Sequence, residues 1–203
     1  MQATDILKEE HRIIQQVLSC LERLAERSAA AGRLDADAAR DAIEFFRCFA
    51  DQCHHGKEED VLFPMMEAKG FARHGGPTGV MLHEHEQGRE HVRGMEAAMA
   101  EASRGDPLAL RQFAQHAEDY VRLLRAHIDK EDHCLFSLAN QVMSEDDQHA
   151  LLESFERAER EHSGEGEHER YVAMANRLAD RFGIPRAPNG SSPRTPWCCV
   201  VHA

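Results

Sequence analysis

The residues best suited to chemistry stand in two copies of one short pattern. His54-His55-Gly56-Lys57-Glu58-Glu59-Asp60-Val61-Leu62-Phe63 aligns without a gap on His127-Ile128-Asp129-Lys130-Glu131-Asp132-His133-Cys134-Leu135-Phe136, with the shared core H-x-x-K-E-[ED]-x-x-L-F. On a helix, an i, i+4 spacing puts imidazole and carboxylate on one face, one turn apart, which is the geometry of a metal-ligand pair. One such pair is usually a solvated surface feature. Two in register, beside the apolar Leu62 and Leu135, argue for more, because carboxylates are rarely buried unless paired or metal-bound. Glu10-His11 and Glu84-His85 lie at nearly equal distances upstream of the two copies, so the chain reads as two tandem helix pairs. When these pack antiparallel, His11, His54, His85 and His127 converge with Glu58 and Glu131 at one level of the core, and two metals share two bridging carboxylates. Mixed imidazole and carboxylate ligation suits iron or manganese, whereas structural zinc sites are more often thiolate-rich. Ile128 stands where the first copy has His55, so the repeat favours His54 over its neighbour.

The elements that must position these residues are helices. From Thr4, read as an N-cap, Leu7, His11, Ile14, Leu18 and Leu21 recur at three- and four-residue spacing. A second helix starts near Asp35 and runs through Phe45, Phe46, Phe49 and His54 to about Pro64, where the ring removes a backbone donor and is expected to stop or kink it. Pro77 suits the first position of a third helix, which lasts until Gly105-Asp106-Pro107; a fourth carries Phe113, Tyr120, Leu123, His127 and Leu135. Four long segments with short breaks predict an all-α, up-and-down antiparallel four-helix bundle over residues 1–141. Two shorter helices, roughly Glu145 to Glu161 and Glu167 to Arg181, form a C-terminal extension packed on the bundle within residues 142–183. Residues 184–203, rich in Pro, Gly, Ser and Asn, read as an extended or disordered tail.

Composition narrows the function classes. A formal charge of −12 over 203 residues argues against nucleic acid and anionic lipid and favours a cation as partner. Without a leader-like start or a long apolar run, the expected location is cytoplasmic, with no membrane span and with reduced cysteines.

An early E-H, then H-x-x-K-E-E-x-x-L-F-P, a middle E-H-x-x-x-R and a late H-x-x-K-E-D together resemble the hemerythrin-like, or HHE cation-binding, family over about Gln2 to Gln141. The resemblance implies a four-helix bundle around a non-haem di-iron centre, carboxylate-bridged and oxo- or hydroxo-bridged. His11 and His54 would serve one iron, His85 and His127 the other, with Glu58 and Glu131 between them. Oxygen carriers of the family have H-x-x-x-H in the third helix, where this chain has Arg89 four residues after His85. Two expectations follow: an open coordination position beside His85, and Arg89 paired with a nearby carboxylate, Glu58 or Glu131. The leading functional expectation is a protein that senses or handles oxygen, peroxide, nitric oxide or iron. The alternatives are a di-iron oxidase or peroxidase, and a reversible oxygen carrier; a regulatory surface for an unknown protein partner is a further role.

Other features carry less. Glu159-x-x-His162 and Glu165-x-x-His168 have the ferritin-like spacing but sit in polar, glycine-broken sequence. Tyr120 and Cys134, two turns before and after His127, are both expected on the interior stripe, as packing residues first. His55, His83, His91, His116, His133 and His149 are expected on solvated faces. Cys198-Cys199 cannot by themselves close a metal site.

Overall fold

The computed structural model describes residues 2–162 and 166–188, and among them it contains six helices and no strand. α1 spans Ala3–Ala31. α2 opens as α-helix over Ala36–Phe45, widens into π-helix over Phe46–His55 and Glu58–Leu62, and returns to α over Phe63–Ala68. α3 is Pro77–Ser103. α4 runs Pro107–Lys130, passes through a π segment at Glu131–Leu135 and ends with Phe136–Val142. α5, Glu145–His162, and α6, Glu167–Phe182, follow.

Local chemistry sets most boundaries. Asp35 and Asp106 cap α2 and α4 by accepting the N–H groups of Ala38 and Ala109 at 3.3 and 2.8 Å, and Pro77 and Pro107 occupy the first turns of α3 and α4, where a missing donor costs nothing. The α3–α4 turn needs Gly105, whose φ is +87° and whose missing Cβ would lie 3.2 Å from the Gly32 carbonyl oxygen of the α1–α2 turn. Thr4 is not the cap of α1. The cap lies two residues earlier, at Gln2, whose N–H donates to the Asp5 carboxylate at 2.8 Å, while buried Thr4 accepts from Asn140 at 2.9 Å. Nor does Pro64 end α2: the preceding π turn closes with Phe63 N–H donating to the Glu58 carbonyl, and the helix continues to Ala68.

The apolar core is split into two clusters. One holds Ile14, Leu18, Phe46, Phe49, Val92, Phe113, Tyr120 and Leu124; the other holds Leu7, Leu62, Phe63, Met81, Leu135 and Phe136. Each of α1 to α4 contributes to both clusters. The second cluster takes residues early in α1 and α3 and late in α2 and α4, so successive helices run in opposite directions. α5 seats Leu151 and Phe155 in the second cluster, and α6 adds Tyr171, Met174, Leu178 and Phe182 to the first. α6 thus lies along the bundle's flank, with Arg27 of α1 over the Phe182 ring and Phe49 of α2 against Tyr171.

The side chains of Glu159 and His162, residue Glu165, and the Cys198-Cys199 tail lie outside the described residues, and with them both E-x-x-H spacings.

Because Leu178 is 2% exposed within the main cluster, Leu178→Ala should lower the unfolding free energy by about 2–5 kcal/mol in a urea titration. A loss below about 0.5 kcal/mol would mean that α6 is not part of the cooperative unit.

Candidate metal centre

Between the two apolar clusters lies a thin polar layer. His11, His54, Glu58, His85, His127 and Glu131 all reach it, each no more than 2% exposed. Their ligand atoms fall into two groups whose members lie within 4.8 Å of one another: His11, His54, Glu58 and Glu131, and His55, Glu58, His85 and His127. The two carboxylates span the groups. Glu58 sets one oxygen 3.8 Å from His54 Nε2 and the other 3.5 Å from His85 Nε2. Glu131 sets one oxygen 3.2 Å from His11 Nε2 and the other 3.2 Å from His127 Nε2.

Four of the five imidazoles are oriented from behind by a carboxylate on another helix, whereas His55 Nδ1 faces Asp51 of its own helix at 3.4 Å. His54 Nδ1 meets Glu10 at 3.0 Å, His85 Nδ1 meets Glu59 at 2.7 Å, His127 Nδ1 meets Glu84 at 2.9 Å, and His11 Nδ1 meets Asp132 at 2.8 Å. A carboxylate accepts the Nδ1–H, which leaves the Nε2 lone pair facing the polar layer. The repeat's lysines close the scheme: Lys57 donates to Glu10 and Lys130 to Glu84. Every polar position of E-H and H-x-x-K-E-[ED] therefore has a task. Glu10, Glu59, Glu84, Asp132, Lys57 and Lys130 are not ligand candidates by spacing, and the signal that marks them is that the repeat keeps their residue types in both copies.

His55 is the principal correction among the histidines. It is buried, not solvated, at 4% exposure, with its ring stacked on His85 at 3.8 Å between centroids. The cause is the π-helical run Phe46–His55, whose i→i+5 bonding lets two consecutive side chains face inward. His91 and His116 are half-buried rather than solvated, with their Nδ1 atoms 3.3 Å apart between α3 and α4. Tyr120 is buried as expected, but Cys134 is exposed: the π segment Glu131–Leu135 inserts a residue, so that Leu135 takes the inward position. Arg89 pairs with neither Glu58 nor Glu131. It holds Asp51 at 2.9 Å, Glu59 at 2.6 Å and Glu86 at 2.5 Å, and the space beside His85 is taken by the His55 ring.

Burial dominates the electrostatics. It pushes the His54 pKa down to about 3, against the pull of Glu10, and also drives His55 and His85 down. Burial opposes a charge on His127 too, but Glu131 outweighs it and lifts the pKa to about 9. The two carboxylates are pushed apart: burial and then Glu131 raise Glu58, while His127 and His11 overcome burial to hold Glu131 low. Six buried atoms at this level have no hydrogen-bond partner among the described residues: His11 Nε2, His55 Nε2 and all four oxygens of Glu58 and Glu131. Orphaned acceptors converging in a dry core fit a cation and little else.

Fold and site together define an antiparallel helical bundle with a histidine- and carboxylate-lined cation cradle. The chain belongs to the hemerythrin HHE cation-binding domain family, which matches residues 2–139. It is also similar to two proteins named only as uncharacterized, Rv1995 of Mycobacterium tuberculosis and Mb2018 of Mycobacterium bovis. Each is 26% identical over 182 residues, covering 90% of this chain and 71% of the relative. No solved structure matches the chain. No helix among the described residues is long and apolar enough to cross a membrane.

Lys57 and Glu10 are each 1% exposed, whereas the Lys130 side chain is 41% exposed. Lys57→Met leaves a buried carboxylate uncompensated and should cost about 3–5 kcal/mol in a denaturant titration, while Lys130→Met should cost far less. Equal losses would show that burial does not set the difference. Glu10→Gln, which keeps the shape but weakens the hold on His54, should reduce cation affinity about 10–100-fold in chelator competition.

Proposed function

We propose that the cradle holds two iron ions, with His11 and His54 serving one, His55, His85 and His127 serving the other, and Glu58 and Glu131 bridging them. The observation that carries this reading is the set of orphaned, fully buried carboxylate oxygens, each carboxylate turned toward both groups of histidines. Two such carboxylates in a dry core need positive charge nearby. Metal ions supply it, and their binding is coupled to loss of any protons held by the same ligand atoms. The His85 and His127 Nε2 atoms, 3.1 Å apart, suit two ligands of a single ion. Nitrogen and carboxylate donors without thiolate favour iron over structural zinc.

Such a pair of irons supplies reversible one-electron chemistry and a place for a small exogenous ligand. The protein is accordingly read as one that senses or handles oxygen, peroxide, nitric oxide or iron. With three histidines at one ion and two at the other, the position open to an outside ligand is assigned to the His11–His54 side. His55 supplies a fifth histidine to the cradle in place of one at position 89, so the reversible oxygen carrier stays among the alternatives.

Elemental analysis of protein loaded anaerobically should find two irons per chain; one zinc and no iron uptake under reducing conditions would refute the assignment. Glu58→Ala and Glu131→Ala remove a ligand from both ions and should lose nearly all iron. His55→Ala removes one ligand from one ion and should weaken a single ion's retention. Optical spectra with oxygen, peroxide and nitric oxide then separate the roles: a stable reversible oxygen adduct marks a carrier, and bleaching with rapid peroxide turnover marks an enzyme.

A further inference from the structure

A cavity of about 250 Å³ opens between α2, α3 and α4, directly behind the rings of His55 and His85. Its wall is mainly apolar: Phe46, Val92, the bare backbone at Gly88, and Tyr120. Gly88 keeps it open, since a Cβ there would touch the Tyr120 ring at 3.4 Å. Tyr120 is 2% exposed, makes an edge contact with Phe46 at 4.8 Å and contributes to the cavity wall. A phenol at the wall of a mainly apolar cavity offers an occupant one polar handle. Burial and the nearby charge of Asp51 keep this one protonated, and therefore a donor.

The charged groups at the cavity's rim are already engaged. Arg47 pairs with Glu96 at 3.1 Å, Arg89 is held by its three carboxylates, and Arg93 is solvated. No unpaired buried charge is present for an ionic ligand. Size adds a second restriction: a dry apolar cavity of about 150 Å³ suffices for benzene, so this one has room for a ring with a short substituent, and far more than a diatomic molecule fills.

We infer that this cavity is a binding site for a small uncharged organic molecule, of the size of a substituted benzene, that carries one hydrogen-bond acceptor for the Tyr120 hydroxyl. The molecule lies against His55 and His85 and does not ligate a metal. The inference rests on the metal reading only in placing the ligand beside a metal centre; the cavity and the phenol are properties of the polypeptide.

The test uses the iron-loaded full chain, with acetophenone as an acceptor-bearing probe and ethylbenzene as its near-isostere without an acceptor, each titrated by calorimetry. Iron content is measured on the same samples. Both probes should bind once per chain, acetophenone more tightly. Tyr120→Phe should weaken acetophenone about two- to tenfold and leave ethylbenzene unchanged. Val92→Phe, which fills the cavity from a wall residue outside the proposed metal ligands, should abolish binding of both at unchanged iron content. Absence of saturable binding to the wild type, full binding to Val92→Phe, or equal effects of Tyr120→Phe on both probes would overturn the inference. Normal probe binding to protein that takes up no iron would instead overturn the metal reading and leave the cavity assignment standing.

Discussion

Two carboxylates at zero exposure in the middle of a helical bundle are the constraint on which this structure depends. A buried carboxylate is tolerated only when positive charge and hydrogen-bond donors surround it. Glu58 and Glu131 each face two imidazoles, those imidazoles are held by further carboxylates, and two of these, Glu10 and Glu84, are held in turn by lysines. Each polar group is thus held by the next from the centre outward, and the series reaches solvent at Asp132, Glu59 and Lys130. The core can therefore carry a polar layer without breaking into two unrelated halves.

Packing supports that layer from above and below. The Phe-rich cluster on one side and the Leu62–Phe136 cluster on the other exclude water from it, with Phe136 stacked on His11 at 5.5 Å and Phe63 on His85 at 6.0 Å. These two rings occupy the last position of the two repeat copies. The π segments beginning at Glu58 and Glu131 are also paired by the repeat. Each widens its helix at the bridging residue, and wide turns of this kind concentrate at functional positions because they re-aim side chains that a regular helix would direct elsewhere.

What could be read from the sequence followed from periodicity and repetition. The four long helices, the starts near Asp35 and at Pro77, the two later helices, and the convergence of His11, His54, Glu58, His85, His127 and Glu131 all rest on spacings that a regular helix preserves. Departures from regularity were not legible. A run of i→i+5 bonds has no composition signature, so regular-helix spacing points His55 outward and Cys134 inward, and it reads Pro64 as a stop or a kink. Arg89 was misplaced for another reason: its partners, Asp51 on α2 and Glu59 in the repeat, are brought near only by tertiary packing. The supporting residues of the site were visible in the repeat as residue types, but their cross-helix partners were not.

The outer carboxylates form a closed circuit. Glu10 on α1 holds His54 on α2, Glu59 on α2 holds His85 on α3, Glu84 on α3 holds His127 on α4, and Asp132 on α4 holds His11 on α1. Each helix gives one such bond and receives one, and the circuit maps onto itself when the two halves of the chain are exchanged. Two identical copies of a single helix pair, related by a twofold axis, would have every group needed to close it. The tandem chain is thus the covalent counterpart of a symmetric dimer, and because its halves are separate stretches of one chain they need not be identical, as Ile128 opposite His55 illustrates.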